Sequence, residues 1–143
     1  MSDEVVGTWI ATAPAGESKG FEQFCKTLKA DEKMIEQFRK VTFGTKLSKE
    51  GSSWTVSVLG DENVIKTVSF ESGKEYETEG MDKKMYKVTS KMDGCKCDET
   101  SIPMEGDGKG TRTTRVVNNG VMTVTSTSIE FPDCSMTYTM KKK

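Results

Sequence analysis

Residues 134–141 read Cys-Ser-Met-Thr-Tyr-Thr-Met-Lys, the clearest alternation of large and small or charged side chains in the sequence. Successive side chains of a β-strand point to opposite faces, so the cysteine, the tyrosine and the two methionines share one face. Serine, threonine and lysine then occupy the face toward water. The C-terminal segment is therefore predicted to be a strand with one buried face.

The same kind of segment recurs upstream, between regularly spaced turn signals. Trp54, Val56 and Val58 share one face, and Val64, Val68 and Phe70 share another with a lysine between them. Short strands separated by turns, without helical patterns between them, predict an antiparallel meander that forms a sandwich or a barrel. The turn signals are Glu50-Gly51, Gly60-Asp61, Ser72-Gly73, Gly80-Met81-Asp82, Asp93-Gly94, Gly106-Asp107-Gly108, Asn118-Asn119-Gly120 and Pro132-Asp133.

Residues 20–40 break the strand pattern. Their apolar side chains recur every three or four positions, which predicts two short one-sided helices. Ser18 is the expected cap of the first, Asp31 favours the start of the second, and Lys29-Ala30 is the expected turn between them. The layout is thus one strand, a helical pair, and about nine further strands. Such a sheet can close into a barrel that the helices cover, with room inside for a small ligand.

Many inward positions of the predicted strands are Thr, Ser or Met, whereas a dry core would use more branched aliphatic residues. This composition predicts a roomy, partly wet interior. The chain of 143 residues fits a single domain, 1–143, that needs neither disulfides nor metal. A formal net charge of −1 gives no reason to expect a nucleic-acid partner.

The N-terminal residues 1–4 are polar and acidic, unlike a secretory signal, so a cytoplasmic location is expected. The four cysteines fit reduced thiols, and the Cys95 and Cys97 pair has no histidine to complete a metal site. We find no nucleophile elbow, phosphate loop or zincin motif. The sequence therefore predicts no enzyme, no metal and no cofactor apart from a bound ligand.

Five pieces of the sequence, in order along the chain, resemble the intracellular lipid-binding proteins, the fatty-acid-binding and cellular retinoid-binding type. They are Val6-Gly7-Thr8-Trp9, Ser18-Lys19-Gly20-Phe21 followed by Cys25-Lys26-Thr27-Leu28, Phe70-Glu71-Ser72-Gly73-Lys74-Glu75-Tyr76, Thr113-Thr114-Arg115, and Cys134-Ser135-Met136-Thr137-Tyr138. The resemblance implies an all-β, ten-stranded, antiparallel up-and-down barrel (a β-clam). A helix-turn-helix after the first strand caps it, at about 20–40.

The same resemblance implies a carrier that holds a long-chain fatty acid or a similar lipid inside the barrel. In many members two arginines and a tyrosine grip the ligand carboxylate, and by position these fall on Arg115, Met136 and Tyr138. Met136 stands where an arginine is common, so Arg115 and the Tyr138 hydroxyl would hold the head group. An acidic lipid is still expected, because a buried Arg115 without an anion would be costly.

Further ligand contacts are expected at Phe70, Met34, Phe38, Met81 and Asp82, the last four at the portal through which lipid enters. Phe70, Trp54 and Tyr86 alternatively fill the barrel base, and Met34 and Phe38 are also the core-facing stripe of a helix. A retinoid or other lipid, or a filled barrel that binds a partner, remain alternatives to a fatty acid. A monomer is expected by analogy with the family.

Charge is unevenly spread along the chain. Residues 19–49 contain eight basic and four acidic side chains, whereas the whole chain has a net charge of −1. A basic helical cap would face an anionic membrane and favour transient contact during lipid delivery. An ordinary solvated helix face explains the same charges equally well.

Overall fold

The computed structural model describes residues 4–28, 30–80, 83–106 and 108–143. It contains ten strands, two α-helices and one short 3-10 helix. The strands are β1 (Gly7–Ala11), β2 (Phe43–Glu50), β3 (Ser53–Gly60), β4 (Asn63–Glu71), β5 (Glu75–Glu79), β6 (Met85–Asp93), β7 (Lys96–Pro103), β8 (Thr111–Asn118), β9 (Val121–Ser128) and β10 (Ser135–Lys142). The helices are α1 (Phe21–Thr27) and α2 (Glu32–Arg39), preceded by the 3-10 turn Ala15–Glu17.

All ten strands form one sheet in the order β4-β3-β2-β1-β10-β9-β8-β7-β6-β5. Every neighbouring pair is antiparallel, and β1 joins the two halves by pairing with both β2 and β10. Apart from that link, each strand pairs with the next one along the chain, except that β4 and β5 do not pair and form the two ends of the sheet. This confirms the predicted up-and-down barrel with its helical pair after the first strand.

The predicted turns lie between the strands, except that Met81, Asp82 and Asp107 fall outside the described residues. One predicted face is wrong. Val64 is 63% exposed rather than inward with Val68 and Phe70. The register of β3 and β4 shifts at Val58 and Leu59, so one residue of β4 is extra and the alternation is interrupted there.

The helix ends differ from prediction at one point, and Lys29 of the predicted turn between the helices lies outside the described residues. Asp31 caps α2, accepting a hydrogen bond from the backbone N–H of Lys33 at 3.1 Å, as expected. The cap of α1 is Gly20, not Ser18, and it makes no side-chain cap. Gly20 has φ of 81°, and a Cβ there would lie 2.2 Å from the carbonyl oxygen of Ser135. Only glycine allows both this positive φ and such a close approach to β10, and this contact places α1 against the barrel.

Large side chains fill one end of the barrel. Trp9, Met122 and Met140 are each at most 1% exposed, and the Trp9 ring N–H donates to the Val5 carbonyl at 2.9 Å. Leu47, Trp54, Phe70, Val117 and Val124 belong to the same cluster. This packing supplies the apolar burial that stabilises the fold and leaves the other part of the interior to polar side chains. Among the described residues, no helix has the length and apolar character needed to cross a bilayer.

Candidate ligand-binding site

Two rows of inward side chains cross the wall formed by β6 to β10. Arg115 pairs in register with Cys97 on one side and with Val124 on the other, and Val124 pairs with Tyr138. The next row toward the helices is Ser90, Glu99, Thr113, Ser126 and Met136, again joined strand to strand. Because alternate residues face one side, these nine positions form one largely polar patch on the inner wall.

Arg115 lies at the centre of this patch. Its Nη1 is 3.7 Å from Oε1 of Glu99, and the same nitrogen donates a weak hydrogen bond to the Cys97 sulfur at 3.9 Å. Its Nε is buried and has no hydrogen-bond partner. A buried donor without an acceptor costs free energy, about 1–3 kcal/mol. The Nε of Arg115 is therefore a donor that an oxygen atom of a ligand could satisfy.

Glu99 is held from the opposite side. The Ser90 hydroxyl donates to Glu99 Oε1 at 3.1 Å, and Ser90 itself is completely buried. The Tyr76 hydroxyl lies 3.4 Å from the Ser90 oxygen, which extends the network to β5. Charge-assisted hydrogen bonds of this kind fix a carboxylate in place. Glu99 is thus an anchored counter-ion inside the barrel.

The ionisable groups at the site differ in their charge at neutral pH. Burial raises the pKa of the Tyr138 hydroxyl, with Arg115 opposing and Glu99 adding to the shift. Burial likewise raises the pKa of the Cys97 thiol. Burial alone would lower the pKa of Arg115, but Glu99 and the other neighbours outweigh it, and its pKa is raised. At neutral pH Arg115 is therefore a cation, while Tyr138 and Cys97 are uncharged.

The inner wall is not tightly filled. Arg115 and Glu99 keep 17% and 23% of their side-chain surface accessible although both point inward. Thr113, Ser126 and Met136 are also only partly buried, and the first two share a hydrogen bond of 2.9 Å. Side chains in a close-packed core would lose this surface. Open space therefore adjoins the polar patch.

The structure brings three of the predicted contacts together and separates the others. Arg115, Tyr138 and Met136 lie on the inner wall of β8 and β10. Phe70 is 7% exposed in the core cluster, with its ring stacked on Tyr76 at 5.3 Å between centroids.

On the helical cap, Met34 and Phe38 are half-buried, and Phe38 meets Phe43 of β2 edge to face at 5.7 Å. Met81 and Asp82, the other two predicted portal residues, lie outside the described residues. The roles assigned to all eight residues stay predictions.

Sequence reasoning missed Glu99 and Ser90. The alternation of β7 could have revealed Glu99, because Cys97 is inward and every second residue follows it. The apolar side chain of Ile102 would instead suggest that the other face of β7 is the inner one, although Ile102 is in fact 44% exposed. No group of three or more potential metal ligands occurs within the described ranges. The four cysteines are free thiols.

Comparison with known proteins identifies the architecture. The model of the lipocalin / cytosolic fatty-acid binding protein family matches residues 14–130. No curated protein sequence matches the chain significantly. Three solved structures illustrate the fold, all below 25% identity. Fatty-acid-binding protein 1 of Echinococcus granulosus has a TM-score of 0.82, 16% identity, and 97% of each chain covered.

Lipid binding protein 8 of Caenorhabditis elegans, solved without ligand, has a TM-score of 0.82 and 14% identity, covering 98% of this chain and 96% of that one. A fatty-acid-binding protein of Schistosoma mansoni in complex with arachidonic acid has a TM-score of 0.82, 19% identity and the same coverage. These likenesses agree with the ten-stranded barrel and its helical pair. With the match over most of its sequence, the chain belongs to the lipocalin / cytosolic fatty-acid binding protein family.

Proposed function

We propose that this protein is a cytoplasmic carrier that holds one long-chain fatty acid or similar small lipid inside the barrel. The observation that carries the proposal is the polar patch around Arg115, where a buried Nε lacks a partner and inward side chains keep accessible surface. A lipid oxygen would complete the hydrogen bonding there, and the chain would fill the open interior. The arachidonic acid bound by the Schistosoma mansoni relative supports the same kind of ligand.

The acyl chain would run from the patch toward the helical cap. Met136 gives this path a flexible apolar wall, and Met34 and Phe38 lie on the cap where a portal is expected. Met81 and Asp82 are predicted from the sequence to contribute to the same portal. The half-burial of Met34 and Phe38 supports this role, because a helix stripe sealed in the core would be fully buried.

A binding function without catalysis agrees best with the site. Its ionisable groups are an ion pair and two buried neutral groups, and the pKa values of Tyr138 and Cys97 are raised away from neutrality. A general acid or base works best with a pKa near the operating pH. The free thiols fit a reducing compartment. We expect a monomer, to be checked by sedimentation equilibrium.

The test is ligand displacement from delipidated protein. Nile red, a neutral polarity-sensitive dye, is bound first and then displaced by oleate, oleyl alcohol, retinol or retinoic acid. Displacement by at least one lipid at one equivalent supports the carrier, and retinoids displacing at lower concentration would select the retinoid alternative. If Nile red does not bind and no lipid changes the melting temperature, the carrier proposal is wrong and the alternative of a filled, partner-binding barrel replaces it.

Arg115→Gln tests the site within the same assay. The change should weaken the preferred lipid about tenfold, the loss of one hydrogen bond to a charged group. Arg112→Gln is the matched control, because Arg112 lies on the same strand but is exposed and pairs with Asp98. Equal effects of the two substitutions would place the lipid away from Arg115.

Contact of the helical cap with anionic membranes is a second part of the proposal. Leu28, at the end of α1, is 42% exposed beside a basic segment of the chain. Several charges of the cap are used internally, since Arg39 bonds both Glu22 and Glu36. Transfer of a fluorescent lipid to vesicles should speed up with phosphatidylserine content and slow down with salt. Rates that respond to neither would exclude collision with the membrane.

A further inference from the structure

The charges of the polar patch determine which head group, charged or neutral, the lipid of the proposed function can have. The groups that act electrostatically on Arg115 are Glu99, Cys97 and Tyr138. Burial keeps the thiol and the phenol protonated at neutral pH, so Glu99 is the only anion among them. Cation and anion lie 3.7 Å apart and cancel. The expectation of an acidic lipid assumed that Arg115 has no such partner.

Glu99 cannot easily give up its place to a ligand carboxylate. It accepts a hydrogen bond from Ser90, which is completely buried, and Ser90 is in turn in contact with the Tyr76 hydroxyl. A carboxylate bound to Arg115 would therefore sit close to a second carboxylate in a shielded interior. Two carboxylates that share one site repel each other, so a ligand carboxylate would bind there less tightly than a neutral group.

An uncharged head group meets no such opposition. The patch offers the free Nε donor of Arg115, the Tyr138 hydroxyl, and the hydroxyl pair of Thr113 and Ser126. Hydroxyls donate and accept, so together they can satisfy both a carbonyl oxygen and a hydroxyl or amide proton. Met136, where a second arginine is common in the resembling family, adds no positive charge.

From the Glu99–Arg115 pair and the unpartnered Nε we infer that the site selects a long-chain lipid with a neutral polar head group. A fatty alcohol, a primary fatty amide or an acylglycerol has this chemistry. The lipid oxygen accepts from Arg115 Nε, and the ion pair stays intact. Glu99 is the residue that determines the specificity.

The experiment compares ligands that share one acyl chain. Oleate, oleyl alcohol and oleamide are each titrated against Nile red bound to the delipidated protein at pH 7.4, and the concentration that displaces the dye is measured. The alcohol or the amide should act at a concentration at least tenfold lower than oleate. In Glu99→Gln, which keeps an acceptor for Ser90, the affinity for oleate should rise at least tenfold. The affinities for the neutral lipids should change less than threefold.

Asp98→Asn is the matched control, because Asp98 precedes Glu99 on the same strand but pairs outward with Arg112. It should leave the ranking of the three lipids unchanged. If Glu99→Gln does not fold, the ranking with the unaltered protein decides by itself. If oleate binds as tightly as the alcohol, the inferred preference for neutral head groups is wrong, while the proposed carrier function is still supported. Failure of all three lipids and of Nile red overturns both.

Discussion

Removing one member of the interior ion pair should destabilise the protein more than removing both. Nη1 of Arg115 and Oε1 of Glu99 are 3.7 Å apart. At an effective dielectric constant of about 20, two charges at this distance attract by about 4–5 kcal/mol. The accessible 17% and 23% of the two side chains admit some water, so we expect about half of that, a coupling of about 2 kcal/mol.

The double-mutant cycle uses Arg115→Met, Glu99→Gln and both together. Each single change leaves one charge in the interior without its partner and should lower the free energy of unfolding by about 2–3 kcal/mol. The double variant removes both charges and should be more stable than either single variant. Urea unfolding of the delipidated protein, followed by tryptophan fluorescence, measures all four free energies.

The outer ion pair provides the control cycle. Arg112 donates to both carboxylate oxygens of Asp98, at 2.9 and 2.7 Å, on the solvent face of the same two strands. Although these distances are shorter, water and ions screen the pair, so its coupling should be smaller and shrink in about 1 M salt. An interior coupling no larger than the outer one, and equally sensitive to salt, would refute the idea of a shielded counter-ion.

Three further predictions concern the cap, the portal and the thiols. Gly20→Ala should cost at least about 2 kcal/mol of unfolding free energy, because φ is 81° and the new methyl group meets the backbone of β10; a change in urea midpoint below experimental error would contradict this. Phe38→Ser removes the edge-to-face contact with Phe43 and should speed lipid release in stopped flow without changing the urea midpoint strongly; an unchanged rate would place the portal elsewhere. Cys95 is exposed and should react quickly with a thiol reagent at pH 8, whereas burial protects Cys97 and raises its pKa, leaving less thiolate; equal rates would contradict the packing of β7.

The strand layout was predictable because its signals are local. Glycines mark the turns, and several lie at positive φ, including Gly51, Gly73, Gly94 and Gly120. Between the turns, period-two alternation is read directly from neighbouring residues. The start of α2 was predictable for the same reason, since the Asp31 side chain bonds a backbone N–H two residues away.

What sequence reasoning missed depends on contacts between distant segments. Gly20 is the cap of α1 because β10 approaches it, more than a hundred residues away in the chain. The extra residue in β4 shows only when its register with β3 is known. Glu99 becomes a partner of Arg115 only after β7 and β8 pair. An acidic side chain usually faces water, so only the pairing of the strands shows that Glu99 lies inside the barrel.

The strand order leaves β4 and β5 at its two ends, and this affects how copies of the protein behave toward one another. An end strand offers backbone groups that another molecule could pair with, which is a common start of aggregation. On β5, every second residue from 75 to 79 is an exposed glutamate. These three like charges would repel the same strand of a neighbouring molecule, so they oppose edge-to-edge pairing of two copies through β5.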